Sequence, residues 1–127
     1  MKYAGIEVTR QLLVNIVKKT AEKFPTELFY RKYKIDEKSF VSFGVTLSIR
    51  GKNDDCLRFT PACMSIIINE GHTITCSIDY NCSRIEEAPV FYLSDEEYAE
   101  LDNICKTKCL EVNSTAFSTF LTSLDLQ

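Results

Sequence analysis

The chain has little of what usually identifies an activity. Its 127 residues include no tryptophan, only four glycines and a single histidine. So few glycines leave little room for a glycine-rich loop that would cradle phosphates. No run of residues approaches the roughly 20 apolar positions that a membrane-spanning helix needs, and residues 1–5 lack the apolar stretch of a signal peptide. We therefore expect a cytoplasmic protein without membrane contact.

The six cysteines lack the spacing of a known metal site. They stand at positions 56, 63, 76, 82, 105 and 109, and no two of them form a Cys-x-x-Cys pair. Structural zinc sites typically take their ligands in close pairs, and disulfides are disfavoured where no secretion signal is present. Cys76, Cys105 and Cys109 fall on the apolar sides of predicted elements. We interpret these three as small buried hydrophobic residues and expect no metal and no other cofactor.

Catalytic signatures are also missing. His72 is expected at the exposed tip of a hairpin, and no Asn or Asp can be assigned to orient it, as a Cys–His or Ser–His nucleophile would require. The carboxylates are numerous, but nothing marks two of them as facing each other across a cleft. We therefore predict no catalytic residue and a protein that is not an enzyme.

What is present predicts a single α+β domain over residues 1–127. Hydrophobic residues make up 45% of the chain and charged residues 26%, both ordinary globular values, and there is no repeat or linker. Apolar residues at three- and four-residue steps predict a helix from about Thr9 to Phe24, whose buried face is expected to hold Leu12, Leu13, Ile16, Val17, Thr20 and Phe24.

The middle of the chain alternates apolar and polar residues, which predicts strands. We expect strands at residues 40–50, 56–68, 73–80 and 89–93, with a hairpin turn at residues 69–72. Residues 26–35 could form a short helix or an edge strand.

Two helices are predicted to end the chain. Ser94 and Glu97 form a capping box that opens the first, whose apolar side holds Tyr98, Leu101, Cys105 and Cys109. The second is expected to begin near Asn113 and to bury Phe117, Phe120, Leu121 and Leu124. The predicted fold is therefore an antiparallel sheet of about four or five strands with helices on one face, in the order α-β-β-β-β-α-α.

Charge is divided between the two halves of the sequence. Residues 1–60 carry 12 Lys and Arg against 7 Asp and Glu, a net +5, whereas residues 61–127 carry 3 against 11, a net −8. Such a separation adds nothing to fold stability but creates a directional field that can orient a partner. The division therefore favours a binding function.

The first functional hypothesis is a binding module that presents an acidic surface to a basic protein. The acids that would form this surface lie on the helix after Ser94: Asp95, Glu96, Glu97, Glu100 and Asp102. Short, acidic, motif-poor chains include immunity proteins and phage-encoded anti-CRISPR proteins, which inhibit by stoichiometric binding. This likeness is one of type and involves no shared motif. A phage-encoded inhibitor would act in the host cytoplasm.

The alternative hypothesis is a nucleic-acid- or nucleotide-binding module. Aromatic and basic residues are interleaved in one segment, which comprises Phe29, Tyr30, Arg31, Lys32, Tyr33 and Lys34. Rings that stack on bases beside cations that neutralise phosphates are what a single-stranded nucleic acid requires. An overall pI near 5.2 ranks this hypothesis second.

Overall fold

The computed structural model of the protein describes residues 2–3, 6–48, 61–80, 84–87 and 89–123. The elements along the chain are β1 (Lys2–Tyr3), β2 (Ile6–Glu7), α1 (Arg10–Lys23), a 3-10 turn (Pro25–Glu27), β3 (Leu28–Ile35), β4 (Lys38–Ser48), β5 (Pro61–Asn69), β6 (Thr73–Tyr80), β7 (Arg84–Glu87), β8 (Phe91–Tyr92) and α2 (Asp95–Ser123).

The main sheet is antiparallel, with the strand order β3-β4-β5-β6-β7, and β8 pairs with β6. Both helices contribute to one buried cluster on one face of this sheet. The predicted fold class, α+β with helices on one face of an antiparallel sheet, is confirmed. Among the described residues, none of the helices is long and apolar enough to cross a bilayer.

The core lies between the sheet and the two helices. Its sheet layer comes from alternate residues, as the period-two pattern predicts. These are Phe43, Val45, Met64, Ile66, Ile68, Ile74, Cys76 and Ile78. From the helices, the buried residues are Leu13, Val14, Val17, Thr20, Ala21, Leu101 and Cys105.

The first helix is confirmed, but its buried face is rotated from the predicted one. Thr9 caps the helix by accepting a hydrogen bond at its Oγ1 from the backbone N–H of Leu12, at 3.1 Å. Val14 and Ala21 are buried, whereas Phe24, predicted to be buried, is 60% exposed at the C-terminal cap. The backbone leaves the helix at Phe24 because Pro25 follows it, so the ring no longer faces the sheet.

Residues 26–35, which the sequence leaves ambiguous, are mostly strand. After the 3-10 turn, β3 pairs with β4 through a two-residue hairpin turn at Asp36 and Glu37. Both turn residues have positive φ, 50° and 66°, which matches the right-handed twist of the flanking strands. Strand β3 lies at the edge of the described sheet, because β4 is its neighbour on one side and no described strand pairs with the other.

The C-terminal region differs most from the prediction. Two helices were expected, but residues 95–123 form one continuous helix of 29 residues, roughly 44 Å long at about 1.5 Å per residue. Leu121, predicted to be buried, is 50% exposed. The side chains of Phe117 and Phe120, and all of Leu124, lie outside the described residues. Asn113 is a poor helix former but does not interrupt the backbone hydrogen bonds of a helix.

The remaining strand boundaries shift by a few residues. Strand β5 begins at Pro61, and the predicted part of this strand at 56–60 lies outside the described residues. The predicted strand at 89–93 shortens to Phe91–Tyr92 in β8. Strand β7 was not predicted at all.

Candidate binding surface

The start of α2 is fixed by the capping box that the sequence predicts. The backbone N–H of Glu97 donates to Ser94 Oγ at 3.1 Å, and the backbone N–H of Ser94 donates to Glu97 Oε1 at 3.0 Å. Each residue thereby satisfies a backbone donor that a helix start would otherwise leave unpaired.

Two acids of α2 bind cations of α1. Arg10 donates from Nη1 to Oε2 of Glu97, and Lys18 Nζ lies 3.0 Å from Oε1 of Glu100. The Arg10 hydrogen bond and the Ser94 backbone hydrogen bond lower the pKa of Glu97 from 4.5 to about 2. Both carboxylates therefore hold the two helices together.

A third acid binds the sheet. The Tyr30 hydroxyl donates to Oδ1 of Asp102 at 2.6 Å, and the Tyr30 ring stacks on Phe43 with centroids 5.5 Å apart. Burial, followed by the neighbouring Asp102 carboxylate, raises the pKa of the Tyr30 hydroxyl well above its usual value. Tyr30 is therefore a neutral donor that anchors α2 to β3, although the sequence suggested a stacking residue for nucleic acid.

The fourth acid binds the single histidine. His72 Nδ1 lies 2.9 Å from Oδ1 of Asp95, and the imidazole stacks on the Tyr98 ring with centroids 4.2 Å apart. The backbone N–H of Leu93 donates to the His72 carbonyl at 2.7 Å. The hairpin position of His72 is as predicted, but the aspartate that the sequence could not assign is present. His72 links the β5–β6 turn to the start of α2.

The predicted acidic surface is thus largely occupied within the molecule. Of its five acids, four contact Arg10, Lys18, Tyr30 or His72, and their partner-binding role stays a prediction. Asp95 remains 95% exposed despite its contact, and Glu96 is exposed and has no ion pair within the described part of the chain. The sequence could not show this because the partners lie far from α2 along the chain.

The aromatic and basic segment, in contrast, reaches solvent. In β3, Phe29, Arg31 and Tyr33 point away from the helices because they alternate with Leu28 and Tyr30, which face them. The Arg31 guanidinium lies over the Phe29 ring, 5.0 Å from its centroid.

Tyr33 forms the second aromatic feature of this surface. Its ring stacks on Phe40 of β4, with centroids 5.6 Å apart and an interplanar angle of 19°. We call Phe29, Arg31, Tyr33 and Phe40 the hairpin surface.

Cations lie on both faces of the hairpin that carries this surface. Lys32 and Lys34 of the predicted segment are exposed on the opposite face of β3, and Lys38 is exposed at the start of β4. Within the described residues, neither Arg31 nor any of these three lysines has a carboxylate within 4 Å. The hairpin at residues 28–38 therefore carries a net charge of +2, since Asp36 and Glu37 of its turn offset two of the four cations without pairing with them.

Two contributors to this surface, Phe40 and Lys38, were missed at the sequence level. They join it through the register of the hairpin, which places Phe40 opposite Tyr33 and Lys38 opposite Ile35. The signal was the two-residue separation of β3 and β4, since a turn of that length fixes the pairing of every later residue.

A cavity of about 310 Å³ adjoins the hairpin surface at the β3 edge. It is bounded on one side by the 3-10 turn and the first residues of β3, including Phe29 and Arg31, and on the other by Cys109, Val112 and Asn113 of α2. Its volume falls at the lower end of the range for small-molecule sites, large enough for one planar ring system.

The described residues hold no converging set of metal ligands, and two of their thiols are buried and unreactive. No group of three or more His, Cys, Asp or Glu side chains in them converges as metal ligands. Burial raises the pKa of Cys76 to about 11 and that of Cys105 to about 12. Both thiols are therefore protonated near neutral pH and poor nucleophiles.

Comparison of the chain with protein-family models, with curated proteins and with solved structures finds no match.

Proposed function

We propose that the protein is a non-catalytic binding module whose hairpin surface binds single-stranded nucleic acid. The observation that carries the proposal is that Phe29, Arg31, Tyr33 and Phe40 share one face of an edge hairpin beside cations without ion pairs. Arg31 and Tyr33 are exposed, and the two phenylalanines are partly exposed. Flat rings accept a base of any identity, and nearby cations compensate the phosphates.

Each group has a definable part in such binding. Tyr33, which is 41% exposed, offers a ring for a base to stack on, and stacking on Phe40 restricts the orientation of that ring. Arg31 is held over Phe29, so its guanidinium plane is oriented before a ligand arrives. Lys38 shares the face of Arg31 and Tyr33 and can contact the phosphates, whereas Lys32 and Lys34 lie on the opposite face and add long-range attraction. The cavity beside Phe29 could admit an unstacked base.

The contacts of α2 support placing nucleic-acid binding first and the acidic protein-binding surface second. The sequence alone favours the reverse order. Glu97, Glu100 and Asp102 already bind Arg10, Lys18 and Tyr30, so less of their charge is available to a partner than the sequence suggests. Arg31 and the three hairpin lysines form no ion pair within the described residues, so their charge is available to a ligand. The acids of residues 61–127 would repel a nucleic acid. This repulsion is reduced because Arg10 and Lys18 of α1 pair with two of these acids.

Anisotropy titrations with fluorescent single-stranded DNA and RNA oligonucleotides test the proposal. We expect Tyr33→Ala to weaken binding by about 5- to 100-fold, since stacking on one base contributes about 1–3 kcal/mol. Arg31→Gln should weaken binding and lower the slope of log affinity against log salt by about 0.7, the value for one phosphate contact on a single strand.

Lys19→Gln is the matched control, because Lys19 is exposed on α1 and its loss changes the net charge by the same amount. It should leave affinity within about twofold, as expected for a screened distant charge. Absence of binding at low salt, or equal losses from Lys19→Gln and Arg31→Gln, would refute the proposal.

The inhibitor hypothesis is kept as a second candidate because Asp95 and Glu96 are exposed at the start of α2. An acidic helix start could bind a basic protein surface. Capture of a source-cytosol protein that is lost with Glu96→Gln, but retained with Glu111→Gln further along α2, would favour it. Capture unaffected by Glu96→Gln would exclude this acid from the interface.

A further inference from the structure

The free edge of β3 carries backbone groups that the sheet does not use. The two-residue turn makes Ile35 and Lys38 a hydrogen-bonded pair, and hydrogen-bonded and non-hydrogen-bonded pairs then alternate along the hairpin. Tyr30 and Phe43 therefore form a non-hydrogen-bonded pair, so the N–H and C=O of Tyr30 point away from β4. Among the described residues, no strand lies on that side of β3 and no hydrogen bond to the Tyr30 backbone replaces one. A donor and an acceptor thus stand unused side by side.

The cavity of about 310 Å³ lies at this part of the edge. Leu28 and Tyr30 line it from β3, and Val112 and Asn113 line it from α2. The hydrogen bond from the Tyr30 hydroxyl to Asp102 ties α2 to β3 beside the cavity. The two walls are therefore held in place by a contact of the fold itself.

The walls decide what can use the free donor and acceptor. A further β-strand needs a sheet edge that stays open over several residues. Here the 3-10 turn and α2 enclose the edge, and the N–H of Leu28 is already bound to the carbonyl of Pro25. A small flat group that offers one acceptor beside one donor fits this space. The Watson–Crick edge of a nucleobase offers that pair.

The remaining lining of the cavity suits a base that carries a phosphate. Phe29 and Arg31 belong to the lining, so the cavity is continuous with the hairpin surface. Val112 and the Phe29 ring provide apolar contact for the faces of a base, and Thr26 and Asn113 provide polar groups for its edge. The described lining contains the cation Arg31 and no acidic residue, and it therefore attracts a phosphate.

We infer that this cavity receives one unstacked base of the bound strand and recognises its Watson–Crick edge through the N–H and C=O of Tyr30. The inference rests on the proposed function and adds to it a position at which the base itself is recognised. The hairpin surface stacks bases of any identity, whereas a base in the cavity must present an acceptor beside a donor.

Titration with nucleoside monophosphates, followed by proton–nitrogen correlation NMR, tests the cavity without a full strand. We expect the amide resonance of Tyr30 to shift with the nucleotides and to stay in place with ribose phosphate or inorganic phosphate, which lack the base. Val112→Trp fills the cavity and should abolish the shift. Leu110→Trp is the control, since Leu110 is exposed on the same helix and outside the described lining. If Val112→Trp does not fold, Thr26→Phe narrows the cavity from its other wall.

Oligonucleotides with a single abasic site test the cavity on a bound strand. At one position, loss of the base should weaken wild-type binding about fivefold or more, the value of one bidentate hydrogen-bonded contact. Val112→Trp should be insensitive to loss of the base at that position. The base that stacks on Tyr33 should remain necessary in both proteins, because Val112→Trp does not change the hairpin surface.

The possible results separate this inference from the proposed function. A Tyr30 amide that shifts equally with ribose phosphate, or an abasic scan that Val112→Trp leaves unchanged, would overturn the inference while the hairpin surface still binds. Oligonucleotides that fail to bind, together with base-dependent shifts of Tyr30, would refute the proposed function and leave the cavity as a nucleotide site. Absence of both signals would refute both.

Discussion

At the scale of single residues, Gly44 shows how closely two strands of the sheet approach. It lies in β4 with φ at +154°, and a Cβ atom there would meet the carbonyl oxygen of Ile66 in β5. Phe29, its register partner on β3, carries the ring that Gly44 lacks. Gly44 therefore lies in β4 between β3, which carries most of the hairpin surface, and β5 of the core.

Gly44→Ala should lower the free energy of unfolding by about 2 kcal/mol or more, because both the positive φ and the Ile66 backbone oppose a Cβ atom. Urea denaturation measures this loss. Thr46→Ala, two residues along the same strand and exposed, should change stability by about 0.5 kcal/mol or less. Equal stability of the two variants would mean that the strands separate without cost at Gly44.

The local sequence predicts some single residues better than others. The capping pair of Ser94 and Glu97 is encoded within four positions, so it was predicted and is present. The role of Tyr30 is different, because its partner Asp102 is 72 positions away. Nothing in the segment around Tyr30 distinguishes a ring that faces the helices from one that faces solvent until the register of β3 is known.

At the scale of elements, α2 is held by four residues from three separate parts of the chain. Arg10 and Lys18 of α1, Tyr30 of β3 and His72 of the β5–β6 turn each bind a different acid of its first eight residues. Replacing Glu96, Glu97 and Glu100 together with glutamine is expected to loosen α2. Two of the three acids bridge to α1.

Glu97→Gln should change how stability responds to acid. The folded pKa of Glu97 is about 2, below its ordinary 4.5, so its contribution is complete above about pH 4.5 and is lost as the pH falls towards 2. The difference in Tm between wild type and Glu97→Gln should therefore be largest near neutral pH and shrink through this window.

Thermal unfolding followed at several pH values measures that difference, with Glu96→Gln as the control. Glu96 is exposed and has no ion pair in the described residues, so its variant should track the wild type. A Tm difference for Glu97→Gln that is constant with pH would show that the Arg10 contact does not stabilise the fold.

At the scale of the whole molecule, the charge division of the sequence does not survive folding in its original form. The basic α1 and the acidic α2 lie beside each other and pair. The charge that remains is spread across the sheet instead. Arg31, Lys32 and Lys34 mark the β3 edge, whereas Asp79 and Glu87 are exposed near the β7 edge. A linear count of charge therefore does not give the direction in which charge is separated in the folded molecule.

The same lesson applies to the fold. Periodicity predicted α1, β4, β6 and the antiparallel sheet, because each depends on neighbours a few positions away. It did not predict that α2 is continuous through Asn113, because whether a poor helix former ends a helix depends on what packs against it. Three of the four residues of the hairpin surface lie in the segment that the sequence singles out, and β4 supplies the fourth, Phe40.

Thiol labelling tests whether the core behaves as one cooperative unit. Because Cys76 and Cys105 are buried, and burial also raises their pKa values to about 11 and 12, both should react with a maleimide at neutral pH only after unfolding. Cys63, which is partly exposed, serves as the internal reference. Peptide mass spectrometry resolves the individual cysteines. Labelling of Cys105 as fast as Cys63, or stoichiometric zinc in the purified protein, would contradict a sealed, metal-free core.

The position of α2 in the chain also has a consequence during synthesis. The ribosome makes every strand of the sheet before it makes the helix that covers them. Until α2 has left the exit tunnel, the Phe43 ring lacks the Tyr98 contact and Tyr30 lacks its acceptor. The nascent protein therefore passes through a stage in which part of its inner sheet face is wet and available to chaperones, and release of α2 closes that stage.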